Sequence, residues 1–362
     1  MKRILITPLN WGLGHATRCM PVIDYLLQRQ CEVLIASDGN ALQFLKREYP
    51  SVEFFELPGY NITYPEGNKM AFKMMLQLPL LIKAVSEEHK TIEALFEKKK
   101  FDAIISDNRY GCFHKNAYSV FITHQLNIQT PPHLNWFKPV VKKINLNRIA
   151  NYNECWIPDF AGDVNLSGNL SHGTDEANNL FFAGPLSRFY NRIKFNAYES
   201  TEPKHTALLC LISGPEPQRS VFEKMILEQS KHLKVKTDIV CGRAGEYNQY
   251  MLNDFVKVHA SLNSDAVFEL MNEASIVICR SGYTTIMELA ATGKKAVLIP
   301  TPGQTEQEYL AKKFFVEKVF YKQNQNEFDL QKALLQVQHF SGIKMENDFA
   351  VMKNRIDFLL SR

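Results

Sequence analysis

The apolar run Ile4-Leu5-Ile6 stops at Pro8, and a glycine-bearing loop over residues 8–15 leads into an amphipathic stretch over residues 16–30. The first is the pattern of a short strand buried on both faces, the second that of a helix. Another apolar run, residues 32–36, follows at once. Strand, glycine loop, helix, strand is the opening order of a doubly wound parallel sheet. Further strands are predicted at 52–56, 102–106, 120–123, 154–158 and 181–184, with helical stretches between them. The longest of these, 68–99, contains Pro79, which is expected to kink or break it. Residues 185–204 lose periodicity and read as a linker. The pattern then restarts with strands at 205–212, 236–241, 255–259, 276–279 and 295–299, and helices at 220–232, 265–272 and 284–292. A Gly- and Pro-rich loop, 213–219, again follows the opening strand. The last helical pattern spans 347–360. The expected organisation is α/β, with an N-terminal domain 1–184, a linker 185–204, a C-terminal domain 205–344 and a helical segment 345–362.

Composition narrows the class. The chain has 362 residues, more than one core usually carries, and 45% of them are hydrophobic, as in a folded protein. A net charge of +4 is mild; it suits anionic small molecules or an anionic membrane surface, and nucleic acid is not expected as a partner. The seven cysteines form no CxxC pair and are odd in number, which argues against a disulfide framework and a zinc site. The first apolar run is too short for a signal peptide, and no uncharged stretch of about 18 apolar residues exists. A cytoplasmic location is expected.

The chemistry concentrates in loops at the carboxyl ends of strands, where doubly wound sheets bind ligands. Asn10-Trp11-Gly12-Leu13-Gly14-His15-Ala16-Thr17-Arg18 joins the first strand to the first helix. It approaches a dinucleotide fingerprint, but Thr17 stands where the third glycine belongs and Asp38 lies farther on than the usual ribose-binding acid. On this loop alone a nicotinamide cofactor stays open. His15, at the helix start, is either a base working near neutral pH or a cap.

A second cluster is more specific. Arg280-Ser281-Gly282 follows a strand and opens a helix in which Glu288 comes within two turns. A carboxylate there can accept from two ribose hydroxyls while the helix N-terminus faces a diphosphate. Next comes Pro300-Thr301-Pro302-Gly303-Gln304-Thr305-Glu306-Gln307, whose amides and acid suit sugar hydroxyls or simply favour a helix start.

Arg-Ser-Gly, a Glu six residues after the Gly, and a Gln-containing helix start after a Pro-rich strand end together resemble the C-terminal domain of inverting family 28 glycosyltransferases. That family includes the UDP-N-acetylglucosaminyltransferase of the peptidoglycan lipid intermediate and diacylglycerol glycosyltransferases. Gly12-Leu13-Gly14-His15 is similar to the family's first glycine loop, Ser213-Gly214 sits where its second lies, and Gly184-Pro185-Leu186-Ser187-Arg188 resembles its interdomain segment. The first loop lacks the family's densest glycine run, and prolines follow Gly214.

The resemblance implies a glycosyltransferase B fold: two Rossmann-like domains facing across a cleft, with the C-terminal helix returning to the N-terminal domain. It implies an inverting, metal-independent transfer of GlcNAc or another hexose from a UDP-sugar to a hydroxyl acceptor, lipid-linked or part of a cell-envelope glycan. No cofactor beyond the donor is implied. Uracil would lie against residues 241–245, and Glu288 would hold ribose. Gly14, Ser213, Gly214, Ser281 and Gly282 would line the diphosphate, helped by Arg188 and by Arg280, which equally well packs the strand end. Gln304, Glu306 and Gln307 would meet the sugar. His15 is the implied base and Asp107 a second candidate. Residues 59–69, with Tyr60, Asn61 and Tyr64, and 70–82 suggest an acceptor pocket. The interleaved apolar and basic positions of 135–148 suit either a helix packed on the core or a peripheral contact with the inner face of a membrane. Two rivals remain: a UDP-sugar 2-epimerase of the same fold, and a nucleotide-sugar-binding subunit that needs a partner.

Overall fold

The structure is a computed structural model that describes residues 1–60, 70–130, 132–173, 179–196, 207–243, 245–345 and 349–362, leaving aside the side chains of 70–78, 132–133, 135 and 194–196. Asn61, Tyr64, most of the 185–204 linker beyond Asn196, and the start of the 345–362 segment lie outside these residues. The chain divides into two compact units. The first comprises Met1–Thr63, Ala71–Arg188 and Asn347–Arg362, and the second chiefly Phe189–Glu346.

In the first unit the apolar runs become β1 (Arg3–Pro8), β2 (Glu32–Ser37), β3 (Glu53–Glu56), β4 (Ala103–Asp107), β5 (Tyr118–Ile122), β6 (Glu154–Ile157) and β7 (Leu180–Phe182). They form one sheet in the order β3-β2-β1-β4-β5-β6-β7, every pair parallel. Around them lie α1 (Gly14–Gln28), α2 (Gly39–Glu48), α3 (Met70–Lys99) and α4 (Lys138–Ile149). The central strands are buried on both faces, as parallel strands covered by helices must be. Two expectations change here. Pro79 does not end α3, which continues through it; a mid-helix proline costs one backbone hydrogen bond, and a helix can absorb its ring by bending. Residues 39–48, not singled out in the sequence, form α2 because Ala41, Leu42, Phe44 and Leu45 supply a buried stripe.

The second unit repeats the plan. It contains α5 (Tyr190–Asn196), β8 (Leu208–Leu211), α6 (Gln218–Ser230), β9 (Thr237–Val240), β10 (Gln249–Asn253), β11 (Val256–His259), α7 (Ser264–Glu273), β12 (Ile276–Cys279) and α8 (Tyr283–Thr292). After these come β13 (Lys295–Leu298), α9 (Thr305–Val316), β14 (Tyr321–Lys322) and α10 (Leu330–Gln336). Its sheet runs β10-β11-β9-β8-β12-β13-β14, parallel except for the antiparallel edge strand β10. The helix at α5 replaces part of the expected linker, and β10 and β14 were not anticipated. A strongly polar edge strand and a two-residue strand carry no period to read.

The last helix, α11 (Ala350–Leu360), packs on α1 of the first unit. Tyr25 donates to Asp357 at 2.9 Å, and Arg29 pairs with the same carboxylate at 3.0 Å. Arg355 reaches Glu154 and lies 3.8 Å above the Phe181 ring. All seven cysteines are buried free thiols. Among the described residues no helix is long and apolar enough to cross a membrane.

Candidate functional site

Both sheets have the same topological switch point. β1 has β2 on one side and β4 on the other; β8 has β9 and β12. Where the winding reverses, the loops leaving adjacent strands diverge and open a crevice at their carboxyl ends. Each of the two glycine loops lies at one of these points.

In the first unit, the loop after β1 turns at Gly12 with φ +76°, and nothing lies within 4 Å of where its Cβ would stand. Gly14 opens α1, and His15 follows it. Register places Pro8 of β1 beside Asp107, the last residue of β4. His15 Nδ1 and Asp107 Oδ1 are 2.7 Å apart. Arg18, one turn along α1, pairs with both oxygens of Asp107, and its Nη1 meets Nδ1 of His124 at 3.2 Å. Arg18 and Asp107 are essentially inaccessible, whereas the His15 side chain keeps 16% exposure. Burial would raise the Asp107 carboxyl, but Arg18 and His15 outweigh it and hold it at about 2. Burial, then the guanidinium of Arg18, push His15 below the usual imidazole value against the pull of Asp107. The result is a neutral ring held by a permanently ionised carboxylate. With Nδ1 turned to Asp107, Nε2 is the nitrogen left to accept a proton. Asp107 is thereby placed as the partner of His15; a carboxyl at about 2 is a feeble base at neutral pH.

Beside this group is a second buried ionic cluster, which joins Asp38 and Arg109, both at predicted strand ends, to Glu88, a residue the sequence did not point to. Arg109 has no exposed surface; it pairs with Glu88 at 2.7 Å and with Asp38, and it donates to Pro8 O at 3.1 Å. Asn10 of the glycine loop donates to Asp38 at 3.0 Å. The cluster ties the loop after β1 to the ends of β2 and β4. Asp38, read as a possible ribose-binding acid, is committed to it.

In the second unit, Ser213 and Gly214 follow β8, and Gly214 has φ +115° with open space at its Cβ position. The neighbouring strand β12 leads through Arg280 and Ser281 to Gly282, the residue that immediately precedes α8. The N-termini of α6 and α8 therefore sit on adjacent strands. Helix N-termini carry partial positive charge, which suits an anion; at α6 part of that charge is already met, since Arg219 N donates to Pro215 O at 3.0 Å and Ser220 N to the Glu216 carboxylate at 3.2 Å. Gly242, in the loop after β9, has φ +63°, and a Cβ there would stand 2.5 Å from Ile212 O.

Arg280 turns inward. It is 1% exposed, donates to Ile299 O at 3.1 Å, to Gln218 O at 3.0 Å and to Gln325 Oε1 at 2.6 Å, and lies 4.2 Å above Phe222. Burial pushes it down to about 9, so it stays charged at neutral pH. Its terminal nitrogens are occupied by neutral oxygens that join the loops after β8, β12 and β13. Gln307 is similarly engaged: its side-chain oxygen accepts from Thr301 N at 2.9 Å, and its carbonyl accepts from Ser281 at 2.8 Å. Gln304 is the N-terminal flanking residue of α9, and Gln304 and Glu306 are half-buried. Glu288 is 4% exposed in the second turn of α8. Arg188, half-buried, ends the middle segment of the first unit, Ala71–Arg188. Each unit thus gathers its own candidates: His15, Asp107 and Gly14 in the first, and Ser213, Gly214, Arg280, Ser281, Gly282 and Gln307 around the α6 and α8 N-termini in the second.

Comparison with known proteins agrees with this double arrangement. Residues 216–355 match the glycosyltransferase family 28 C-terminal domain, and residues 2–129 match glycosyl transferase family 1. The UDP-N-acetylglucosamine–N-acetylmuramyl-(pentapeptide) pyrophosphoryl-undecaprenol N-acetylglucosamine transferase of Pasteurella multocida (strain Pm70) is 38% identical over 332 residues, which cover 87% of this chain and 82% of that protein. The enzyme of the same name from Helicobacter pylori (strain G27) is 27% identical over 173 residues, so the chain spans only 46% of its length. The crystal structure of Acinetobacter baumannii MurG superposes over the whole of both chains with TM-score 0.56 and 12% identity. The spinosyn rhamnosyltransferase SpnG complexed with thymidine diphosphate gives 0.59 and 13%, covering 100% of this chain and 92% of that one. At such identities these structures show a common fold, the glycosyltransferase B fold. On the strength of the Pasteurella relative and the matching C-terminal domain, the chain belongs to the family 28 glycosyltransferases.

Proposed function

We propose that the chain transfers N-acetylglucosamine, or another hexose, from its UDP derivative to a hydroxyl of a lipid-linked or cell-envelope acceptor, with inversion at the anomeric carbon. The observation that carries the reading is the His15–Asp107 contact of 2.7 Å at one switch point, matched by paired helix N-termini at the other. In this reading His15 Nε2 takes the proton of the acceptor hydroxyl as its oxygen bonds to the anomeric carbon. The bond from that carbon to the diphosphate breaks, and UDP leaves. One displacement inverts the configuration through an oxocarbenium-like transition state.

The α6 and α8 N-termini, with Gly214, Ser281 and Gly282, meet the charge growing on the diphosphate, and Arg188 adds to it. Such fixed dipoles are why the reading needs no metal, and a chelator leaves its rate unchanged. Arg280 and Gln307 hold the loops that carry those groups. Glu288 accepts from ribose, while Gln304 and Glu306 meet the sugar. The relatives named for a UDP-N-acetylglucosamine donor and an undecaprenol-linked acceptor support this substrate class, as does a fold-mate that binds thymidine diphosphate.

The same reading includes a peripheral membrane contact. Trp136 (75% exposed), Val140 and Ile144 stand out from α4 and the turn before it, beside the exposed Lys143 and Arg148. Only Asn145 and Ile149 of α4 are buried. An apolar, basic surface of this kind suits anionic lipid.

The test is a panel of UDP-, GDP- and TDP-sugars scored by thermal stabilisation and slow hydrolysis. At a donor concentration of about a hundred dissociation constants, binding adds roughly 2.7 kcal/mol. UDP-N-acetylglucosamine is expected to stabilise the wild type and His15→Ala, but not Glu288→Ala. Absence of stabilisation by every nucleotide sugar would sink the reading. Isomerisation of the donor without any acceptor would replace it with the 2-epimerase.

A further inference from the structure

An aspartate–histidine pair normally favours the charged imidazole, because the carboxylate attracts the second proton. Here the carboxylate is already matched. Arg18 spans both oxygens of Asp107, and its Nη2 lies 2.9 Å from His15 Nδ1. The short contact between Nδ1 and Asp107 requires a proton between them, so His15 donates there and Arg18 faces an N–H rather than a lone pair. A second proton, on Nε2, would set an imidazolium against a guanidinium at that separation, with water excluded from Arg18 and Asp107. Three elements supply charged or titratable groups around the ring: Arg18 and Cys19 from α1, Asp107 from the end of β4, and His124 from the segment after β5. His124 meets Arg18 Nη1 through Nδ1 at 3.2 Å, and its charge acts on His15 in the same direction as that of Arg18.

We propose that Arg18 is a positioning residue for the base: by neutralising Asp107 and facing the Nδ1 side of His15, it keeps the ring uncharged with Nε2 available, and it speeds loss of the proton once the sugar has been transferred. The inference rests on His15 being the base proposed above. It assigns Arg18 a role in resetting that base between turnovers at mildly acidic pH. Without Arg18, the Asp107 carboxylate acts on the ring unopposed, and the charged imidazole becomes the resting form as pH falls.

The experiment follows His15 by histidine NMR titration of the full chain without substrate, alongside the pH profile of kcat/KM for transfer. In Arg18→Met, the His15 midpoint is expected to move to higher pH by about one unit or more, with the acid limb of the rate moving in parallel. In Arg18→Lys, which keeps the charge, the midpoint stays close to that of the wild type. The double variant Arg18→Met/Asp107→Leu removes both charges together and guards against misfolding of the single variant; its midpoint returns towards the wild type. An unmoved midpoint in folded Arg18→Met, or a double variant that titrates like it, overturns the role of Arg18. A midpoint that moves while the acid limb stays fixed leaves Arg18 in control of the charge on the ring but removes His15 as the base, and with it the positioning role.

Discussion

Arg18 and Asp107 illustrate how far a residue-by-residue reading goes. The glycine loop pointed to His15, and the end of the fourth strand pointed to Asp107, because both sit where doubly wound sheets keep their ligands. That they touch follows from the β1–β4 register, which no local pattern encodes. Arg18 was legible in principle, since residues three apart share a helix face and Arg18 had to lie beside His15. Its inward turn could not be read, because an arginine on an amphipathic helix is ordinarily solvated. Arg280 and Gln307 show the reverse case: the motif located them, but the hydrogen bonds that occupy them come from strands and loops elsewhere in the chain. Asp107→Asn is expected to destabilise the first unit by about 3–5 kcal/mol, since it leaves a buried guanidinium without its counter-charge; denaturant unfolding measures this. The stabilising share of the Asp107 ion pair is fully present above the ordinary carboxylate range and is lost progressively as pH falls from there through about 2.

At the scale of elements, the central strands were legible because burial on both faces leaves an uninterrupted apolar run. Of the misses, α5, β10 and β14 are short or polar, and their structure comes from neighbours rather than from their own period, whereas α2 has a readable apolar stripe. Helix α11 was legible as a helix from its apolar stripe. Its attachment to the first unit followed from family resemblance, and the structure adds the contacts. Met352 and Ile356 have no exposed surface, and the polar pairs Tyr25–Asp357 and Arg355–Glu154 flank them. Ile356→Ala is expected to cost about 2–5 kcal/mol, the range for truncating a fully buried aliphatic side chain. The loss should appear as a lower denaturant midpoint with the slope unchanged.

For the molecule as a whole, two copies of one plan divide the chemistry: the first unit carries the candidate base, and the second the candidate anion site. The proposed membrane contact belongs to this scale, because it would decide where the whole enzyme works. Lys143→Glu, Arg148→Glu and Trp136→Ala are expected to weaken sedimentation with vesicles rich in anionic lipid. Each lost cation should cost about 1 kcal/mol at low salt and less at high salt. Neutral vesicles should show little difference between the wild type and the charge variants.

The helix α11 has a consequence in time as well as in space. It buttresses α1, the helix that begins beside His15, yet it follows the second unit along the chain. A ribosome adding about 5–20 residues per second spends on the order of ten to thirty seconds on the stretch Phe189–Glu346. Throughout that interval the nascent first unit keeps the apolar seat of α11 uncovered. The half with the candidate base is completed only after the half with the candidate anion site has been made, so a chain cut short before α11 lacks a finished first unit.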